Sequence, residues 1–422
     1  MVAGRAARGL RHVEAATRQA ALDRFKQGIP VLDALFLRQS DHVFRTMKQD
    51  QATLSAVLAI NAGSASLKSA LFTFERRPQL RDRDVASDAG ESRVHDLLQR
   101  IASQRRDRAL AAVGHRIVHG GPDYYQPQRI TPDVLSRLRS LIAFAPNHLP
   151  AAIALIEAIA DAHPDLPQVA CFDTAFHHDL PDVARRLPIP RAYDERGIRR
   201  YGFHGLSYAY LVQELQCRAG APAALGNVVI AHLGNGSSLA AIRGGRSVDT
   251  TMCFTPLGGV VMSTRSGDLD PGVVAFIART EGLDADGVED LFSHHSGLLA
   301  ISGVTGDMRE LLEREGADAS SRLAIDIYAY QIRKSIGSFA AALGGLDQIV
   351  FSGGIGEHAP EVRRRICNGL EFLGVRLDPE RNAASHEVIS TSDSRIAVRV
   401  IPTDEEVMIA QATFDILGDP SS

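Results

Sequence analysis

The chain has 422 residues, of which 45% are hydrophobic, and its formal net charge at pH 7 is −4. A chain of this length can bury large cores and is expected to divide into two domains, and its small negative charge gives no indication of a nucleic-acid partner. No apolar run approaches the roughly 18 residues of a membrane helix, and no signal-peptide pattern is present, so we expect a cytoplasmic protein without a membrane partner.

The first 55 residues differ in charge from the remainder. They hold nine Lys or Arg and five Asp or Glu, a net charge of +4, so the rest of the chain carries −8. We interpret residues 1–55 as an N-terminal extension. An accessory helix, a regulatory arm and a misassigned translation start at Met47 are the alternatives.

Two similar units of strand, loop and strand are predicted. The apolar run 56–60 leads into the loop Asn-Ala-Gly-Ser-Ala-Ser-Leu-Lys at 61–68, and a second apolar run follows at 70–74. The run 228–231 leads into His-Leu-Gly-Asn-Gly-Ser-Ser at 232–238, followed by the run 239–242. Such a unit, repeated roughly 170 residues apart, predicts two related halves that face each other across a nucleotide. Neither loop is a P-loop, because the chain has no Gly-x-x-x-x-Gly-Lys-Ser/Thr.

A third glycine-rich segment lies near the C-terminus. Gly-Gly-Ile-Gly-Glu-His at 353–358 follows the apolar run 348–351 and precedes a helix predicted to begin at Pro360. Glycines let backbone N–H groups approach an anion, and a helix N-terminus adds partial positive charge. An ordinary tight turn is the alternative, but the two other loops favour a glycine turn that binds a nucleotide. The apolar stretch 324–343 predicts a helix packed on the second sheet.

Four polar side chains have contexts that suit a binding site. Arg116 and Arg265 stand beside glycine or small polar residues, where a guanidinium can hold carboxylate or phosphate oxygens; a surface ion pair is the alternative. His204 lies in Tyr-Gly-Phe-His-Gly, with a structural role as the alternative. Asp173 ends the strand-like run 168–172, whose carboxyl end is expected to open on a site; a helix N-cap is the alternative.

The histidine pairs 177–178 and 294–295 do not indicate a transition-metal site. Adjacent histidines point in different directions, and the chain has no His-Glu-x-x-His. Its four cysteines include no Cys-x-x-Cys pair, which argues against a zinc site or a disulfide framework.

Seven ordered segments closely resemble the acetokinase family of short-chain acyl kinases. They are 61–68, 114–121, 172–177, 201–205, the loop that begins at 232, 264–268 and 354–357. The resemblance runs from about residue 57 to about residue 413. It implies an α/β fold of the acetate and sugar kinase/Hsp70/actin superfamily, which is a duplicated ribonuclease H-like fold with ATP in the cleft between two domains.

The resemblance also implies domain boundaries and an assembly. Residues 56–177 together with 406–422 would form the N-terminal α/β domain, and residues 178–405 would form the C-terminal nucleotide-binding domain. A homodimer is implied as well.

The implied activity is reversible phosphoryl transfer between ATP and acetate, giving acetyl phosphate and ADP by direct in-line transfer with Mg²⁺, or Mn²⁺ in its place. A carboxylate is already ionised at pH 7, so no general base is needed, and the site must supply position, cations and donors instead. Propionate or another short-chain carboxylate is the alternative substrate. A nonenzymatic nucleotide-binding regulator is the remote alternative.

The resemblance assigns roles to individual residues. The implied catalytic residues are Asp173, His204, Arg265, Arg116 and His148. Asn61 and Glu405 are the implied metal contacts. The acid would be held by Arg116 and by a pocket formed by Val118, Asn147, Phe203 and Pro256. The nucleotide would contact Ser64, Lys68, His232, Leu233, Gly234, Asn235, Gly236, Asp307, Met308, Arg309, Gly354, Ile355, Gly356, Glu357 and His358.

One pocket position departs from the family pattern. Asn147 stands where the family commonly has an apolar residue before the histidine that corresponds to His148. A polar side chain in the pocket would weaken the preference for acetate. Because an apolar pocket distinguishes one methylene by only about 1–3 kcal/mol, we expect propionate to be a substrate too.

Overall fold

The computed structural model describes residues 56–62, 67–74, 78–86, 91–106 and 110–418. The predicted N-terminal extension 1–55 and the predicted nucleotide contact Ser64 lie outside these residues. Within the described ranges, no helix has the length and apolar character needed to cross a membrane.

The first sheet has six strands in the order β3-β2-β1-β4-β6-β5. Its strands are β1 (Ala56–Ala62), β2 (Leu67–Phe74), β3 (Pro78–Ala86), β4 (Leu110–Ile117), β5 (Gln128–Arg129) and β6 (Gln168–Phe172). The first three strands form an antiparallel meander, and β4 and β6 continue the sheet parallel to β1. The carboxyl ends of β1, β4 and β6 therefore lie along one edge.

The second sheet repeats this arrangement with five strands in the order β11-β10-β7-β8-β9. Its strands are β7 (Asn227–Leu233), β8 (Ser237–Arg243), β9 (Arg246–Thr250), β10 (Gln348–Ser352) and β11 (Ala397–Val400). Here too a three-strand antiparallel meander is followed by two strands parallel to its first strand. The shared order confirms the predicted duplication, and both predicted strand-loop-strand units are hairpins.

Sixteen α-helices within the described residues cover the sheets. They are α1 (Glu91–Arg106), α2 (Pro132–Ser140), α3 (Leu149–Ala162), α4 (Asp182–Arg185), α5 (Arg191–Glu195), α6 (Gly205–Ala219), α7 (Ala221–Leu225), α8 (Pro271–Glu281), α9 (Ala285–His294), α10 (Gly297–Ser302), α11 (Met308–Arg314), α12 (Ala319–Leu343), α13 (Gly353–His358), α14 (Pro360–Cys367), α15 (Pro379–Ala383) and α16 (Glu405–Gly418). Three short 3₁₀ helices lie at Ile142–Phe144, Ala175–His177 and Glu371–Leu373.

The long helix α12 forms the core on one face of the second sheet, as its apolar pattern predicts. Tyr328, Ile332 and Ile336 lie one turn apart on a single stripe and are fully buried against strand residues such as Val229 and Phe351. Burying a side chain of this size contributes about 1.5–3 kcal/mol. Helix α6 packs on the opposite face through Tyr208, Leu211 and Leu215.

The last helix, α16, returns to the first sheet. Ile409 and Ala410 pack against β1, β2 and β6 together with Leu206 of α6. The approach is close at Gly114 in β4, where a Cβ would lie 2.2 Å from Oγ1 of Thr413. The start of α16 is therefore fixed beside the carboxyl ends of β1, β4 and β6.

The glycine segment 353–358 is helical, so the predicted glycine turn is limited to Gly353, and the helix predicted to begin at Pro360 is confirmed as α14. Gly353 has φ +76°, and a Cβ at this position would lie 2.6 Å from the carbonyl oxygen of Leu233. The backbone reverses at Gly353 and continues as α13, because Oε1 of Glu357 accepts from the Gly353 N–H at 2.8 Å. At the other end of α13, Nη1 of Arg363 donates to the carbonyls of Gly356 and Glu357 at 2.8 and 2.9 Å.

Candidate active site

One group of polar residues lies where β1, β4 and β6 end. Arg116 of β4 donates from Nη1 to Oδ1 of Asn61 at 3.0 Å. Its Nε and Nη2 both donate to Oδ2 of Asp173, at 2.9 and 2.5 Å. Parallel strands end at a common edge, which explains why three side chains far apart in sequence meet. Asp173 follows the predicted strand 168–172 and does not cap a helix.

Two adjacent carboxylates of α16 complete this group. Nδ2 of Asn61 donates to Oε2 of Glu405 at 2.8 Å and to Oε1 of Glu406 at 2.9 Å. Both glutamates therefore face the same amide. Glu406 was not among the predicted site residues, because sequence alone does not show which of two neighbouring glutamates faces inward.

Burial and the neighbouring cations together set the pKa values of the carboxyl groups in this cluster. Burial raises the pKa of Asp173 above its ordinary value; Arg116 opposes that effect and Glu405 adds to it. Burial acts in the same direction on Glu405, but Arg116 and His232 hold the pKa of this carboxyl below its usual range. Burial raises the pKa of Glu406. Arg116 and Lys68 thus both offset the charge of these buried carboxylates.

These residues fit a hard cation that keeps most of its own water. Oδ1 of Asp173 is buried and has no hydrogen-bond partner among the described residues, and carboxylate and amide oxygens are the ligand types that Mg²⁺ prefers. Within those residues, no group of three His, Cys, Asp or Glu is arranged to hold a metal ion by itself. A cation here would therefore depend on water and ligand oxygens for the rest of its shell.

His204 lies above this edge in an uncommon backbone conformation. It has φ 56°, ψ 27° and directly precedes α6, and the left-handed region is sparsely used by residues other than glycine. The next residue, Gly205, donates its N–H to the carbonyl of Asp173 at 2.9 Å, and a Cβ there would lie 2.0 Å from that oxygen. The glycine lets α6 begin against Asp173, which places His204 beside the carboxylate group.

Two histidines stack at this place. The rings of His204 and His232 have centroids 4.3 Å apart and are inclined by 25°. Nδ1 of His204 lies 2.8 Å from Oγ of Ser238, and Nδ1 of His232 lies 2.8 Å from Oγ of Ser207. Burial lowers the pKa of His232 to about 4 and that of His204 well below its ordinary value, so both rings are neutral at pH 7.

Arg265 and the loop between β7 and β8 lie near Nε2 of His204. A Cβ at Gly236 would lie 3.4 Å from Nε2 of His204 and 3.6 Å from Nη1 of Arg265. Nη1 of Arg265 also donates to the carbonyl of Pro256 at 3.3 Å. Burial lowers the pKa of Arg265, and Arg116 lowers it further. Arg116 and Arg265 are therefore close enough for the charge of one to affect the pKa of the other.

His148 belongs to the same electrostatic environment. Burial lowers its pKa to about 3, and the charges of Arg265 and Arg116 add to this effect. All five residues that sequence analysis expected to be catalytic are therefore brought together. His148 directly precedes α3, but its side chain does not cap that helix.

An apolar cluster includes Val118, which follows Arg116 by two residues in the chain. Val118 and Phe203 are buried together with Met252 and Met262. The two methionines were missed, because they lie outside the recognised motifs and methionine has no distinctive spacing in a pocket. Pro256 is partly buried, and its carbonyl accepts the hydrogen bond from Arg265.

Asn147 does not point into this cluster. Its side chain is exposed, and its Nδ2 donates to Oε1 of Glu289 at 2.9 Å. The expectation that Asn147 lines the pocket is not supported by this placement.

Several of the predicted nucleotide residues have side chains that are buried or already hydrogen-bonded within the protein. Leu233 and Met308 are buried in the core, so their side chains cannot reach a nucleotide. Asp307 caps α11 by accepting from the N–H groups of Arg309 and Glu310, and Glu357 caps α13. Gly354 differs from these, since a Cβ there would meet no atom within 4 Å.

The remaining predicted contacts are more open. Oδ1 of Asn235 accepts a hydrogen bond from Oγ of Ser263 at 3.4 Å. Gly234 and Ser237 form hydrogen bonds with each other within the same hairpin tip. Lys68 of β2 is exposed, and its charge affects the pKa values of Glu405 and His232. His358 is also exposed at the end of α13, while Ile355 and Gly356 lie within that helix. The nucleotide-binding role of these residues stays a prediction.

Comparison with known proteins agrees with the predicted resemblance. The sequence model described as the Acetokinase family matches residues 82–411. An acetate kinase of Rhodopseudomonas palustris is 45% identical over 389 residues, which cover 84% of this chain and 96% of that protein. An acetate kinase of Nitrobacter hamburgensis is 42% identical over 398 residues, covering 87% and 98%.

Solved structures are similar over the same region. The crystal structure of Porphyromonas gingivalis acetate kinase is 34% identical, with a TM-score of 0.76, and the match covers 86% of this chain and 100% of that chain. A propionate kinase of Francisella tularensis is also 34% identical, with a TM-score of 0.77, and the match covers 85% and 99%. Both the predicted family and the predicted fold are confirmed. The chain belongs to the acetokinase family.

Proposed function

We propose that this protein is an acetate kinase, which reversibly transfers a phosphoryl group between ATP and acetate and forms acetyl phosphate and ADP. The observation that carries this proposal is the meeting of Arg116, Arg265, His148 and His204 beside the buried carboxylate of Asp173 and the apolar cluster around Val118. A small acid with one charged end and one methyl group matches that combination. The names of the 41–46% identical relatives support the same activity.

Charge repulsion is the main barrier to this reaction. An anionic carboxylate must approach an anionic phosphate, so catalysis depends on cations and on position. Arg116, held in one orientation by Asp173, would bind the carboxylate, and Arg265 would contact the phosphoryl oxygens as they develop charge. His204 and His148, which are uncharged at pH 7, would donate hydrogen bonds without adding a buried charge.

A bound Mg²⁺ would neutralise phosphate charge and shield the transferred group from the site's carboxylates. Asn61, Glu405 and Glu406 would hold it through oxygen atoms and water, with the unpaired Oδ1 of Asp173 close by. Mn²⁺ would be accepted at the same ligands, because it also prefers oxygen donors.

The nucleotide would lie against the second sheet. The hairpin tip 232–238 would contact the phosphates from one side and Lys68 from the other, while the open space at Gly354 would admit the adenosine. In this proposal residues 56–177 with 406–422 close against residues 178–405. Closure would exclude water, which would otherwise accept the phosphoryl group.

Propionate kinase is the second candidate. It is favoured by the similarity to the Francisella tularensis propionate kinase and by the unbranched Met252 and Met262 in the apolar cluster, since methionine adapts its shape readily.

We also propose that the protein is a homodimer in the cytoplasm. Light scattering after gel filtration tests the assembly.

A panel of acids tests the function. Acyl phosphate formed from formate, acetate, propionate and butyrate with ATP and Mg²⁺ is trapped with hydroxylamine and measured as the hydroxamate. The highest kcat/KM for acetate supports the acetate kinase, and the highest value for propionate supports the second candidate. If no acid gives a hydroxamate, the protein is not an acyl kinase of this kind.

A further inference from the structure

His204 is connected to a buried tyrosine through one serine. Nδ1 of His204 lies 2.8 Å from Oγ of Ser238, and the hydroxyl of Tyr208 lies 2.6 Å from the same oxygen. Ser238 and Tyr208 are both fully buried. Tyr208 is not among the acid, nucleotide and metal contacts described above, and Ser238 belongs to them only as the last residue of the hairpin tip 232–238, with its side chain fully buried.

The three groups can share their hydrogens in only one way that gives both buried hydroxyl groups an acceptor. Among the described residues, the Tyr208 hydroxyl has one acceptor within hydrogen-bond distance, Oγ of Ser238. If Tyr208 donates to Ser238, then the serine hydroxyl donates to Nδ1 of His204, and the histidine carries its proton on Nε2. If His204 instead donated from Nδ1, either the serine or the tyrosine would hold a buried O–H without an acceptor. A buried donor left unpaired is unfavourable, because the hydrogen bond that it made to water in the unfolded chain is not replaced.

Two further observations are consistent with this order of donation. Burial raises the pKa of Tyr208, so the phenol keeps its proton and remains a donor. Burial lowers the pKa of His204, so only one ring nitrogen carries a proton and the two tautomers are exclusive. Nε2 is the ring nitrogen that faces the hairpin tip and Arg265, as the 3.4 Å distance to a Cβ at Gly236 indicates.

We propose that Tyr208 and Ser238 are positioning residues that fix the tautomer of His204 with its proton on Nε2, and so make this histidine a donor toward the transferred phosphoryl group. The opposite tautomer would direct a lone pair at phosphate oxygens and repel them. The donor role rests on the proposed function, whereas the tautomer is a property of the protein alone.

The tautomer is measured by two-bond ¹H–¹⁵N correlation spectra of the full chain labelled with ¹⁵N-histidine, with the His204 signals assigned from a His204→Gln variant. We expect Nε2 to carry the proton in the wild type. In Tyr208→Phe the serine hydroxyl is free to accept as well as donate, so both tautomers should be populated. Protonation of Nδ1 in the wild type, or an unchanged spectrum in Tyr208→Phe, would overturn the proposal.

Kinetics separate positioning from general stability. Ser238→Ala should lower kcat for acetyl phosphate formation by on the order of tenfold with little change in KM for ATP, since a misdirected donor loses part of its effect. Ser238→Thr, which keeps the hydroxyl, should restore most of kcat. Equal kcat in Ser238→Ala and wild type would also overturn the proposal.

The chain contains a matched control. Tyr328 is likewise fully buried, and its hydroxyl lies 2.8 Å from Oγ of Ser237, the neighbour of Ser238, without contact to a histidine. Tyr328→Phe should lower stability about as much as Tyr208→Phe but leave the His204 tautomer unchanged. A protein that shows the expected tautomer but makes no acyl phosphate would contradict the proposed function while supporting the assignment of the proton to Nε2.

Discussion

Arg116 donates two hydrogen bonds to a single oxygen of Asp173. Its Nε and Nη2 lie 2.9 and 2.5 Å from Oδ2, while the buried Oδ1 has no partner among the described residues. The carboxylate thus holds the guanidinium in one orientation and keeps one oxygen available for a cation or its water. This arrangement is suited to organising charge around a ligand, because the unpaired oxygen remains able to accept a further contact.

Replacement of Asp173 should therefore affect turnover far more than nucleotide binding. Asp173→Asn keeps the shape but removes the charge that orients Arg116, and we expect kcat to fall at least about 100-fold. The dissociation constant for ADP, measured by calorimetry, should stay within about threefold. The exposed Asp179, which pairs with Arg246, provides a control, and Asp179→Asn should retain full activity. An equal loss of ADP affinity in Asp173→Asn would contradict this assignment.

Arg265 should act mainly on the transferred group. Its guanidinium meets the hairpin tip at Gly236 and donates to Pro256, a geometry that the point charge of lysine does not reproduce. We expect Arg265→Ala to lower kcat by about 10²–10³-fold and Arg265→Lys by at least about tenfold. Added guanidine should restore part of the activity of Arg265→Ala. Full activity of Arg265→Lys would show that a positive charge alone suffices at this position, and the exposed Arg279→Ala serves as the control.

Asn147 should have little influence on the choice of acid. Its amide is exposed and bonded to Glu289, so Asn147→Leu should change the ratio of kcat/KM for acetate and propionate by less than about threefold. Val118→Ala enlarges the buried cluster with Phe203 and should shift that ratio toward propionate by about tenfold. A large shift with Asn147→Leu would show that this residue enters the pocket when ligand binds.

Arg363 should stabilise the nucleotide side of the protein. It is fully buried, and its hydrogen bonds reach Gly356, Glu357, Asn382 and Ser385. Arg363→Met leaves these buried acceptors unpaired and should lower the free energy of unfolding by about 3 kcal/mol or more. Its neighbour Arg364 pairs with Glu361 at the surface, so Arg364→Met should cost less than about 1 kcal/mol. Urea unfolding compares the two, and equal losses would refute the difference.

Stability should fall as pH decreases from 6.5 toward 4. Four buried histidines have their pKa lowered by burial to about 4. They are His115, His119, His177 and His232. In this window the unfolded chain binds protons that the folded chain does not, so the free energy of unfolding rises with pH and reaches its full value above 6.5. One such histidine accounts for about 3 kcal/mol across the window. Urea unfolding at several pH values measures the slope, which His115→Gln should reduce; a slope of zero would contradict the account.

Much of the fold was predictable because its signals are local. The runs 56–60 and 228–231 are continuously apolar and end in small polar loops, so each hairpin could be placed from sequence. The pattern of α12 likewise defined a long helix. The same reasoning did not predict the helix at 353–358, where three glycines suggested a turn. The cap from Glu357 and the bonds from Arg363 that make this segment helical depend on tertiary contacts.

The site was predictable where residues lie in compact motifs. Arg116, Asp173, His204 and Arg265 each stand beside glycine or at a strand end, and the fold brings them together. Glu406, Met252 and Met262 were missed, because inward orientation is decided by packing. Tyr208 and Ser238 carried a weaker signal that could have been used, since Tyr208 lies one helical turn after His204 and Ser238 ends the hairpin tip.

The central claim is that a carboxylate oxygen of the acid attacks the terminal phosphate of ATP at this site. Incubation of the protein with ATP, Mg²⁺ and ¹⁸O-labelled acetate, followed by ³¹P NMR, tests it directly. We predict acetyl phosphate whose phosphorus signal shows the isotope shift of a bridging ¹⁸O, formed together with ADP in equal amounts. Release of inorganic phosphate at the same rate with and without acetate, and no labelled acyl phosphate, would contradict the account.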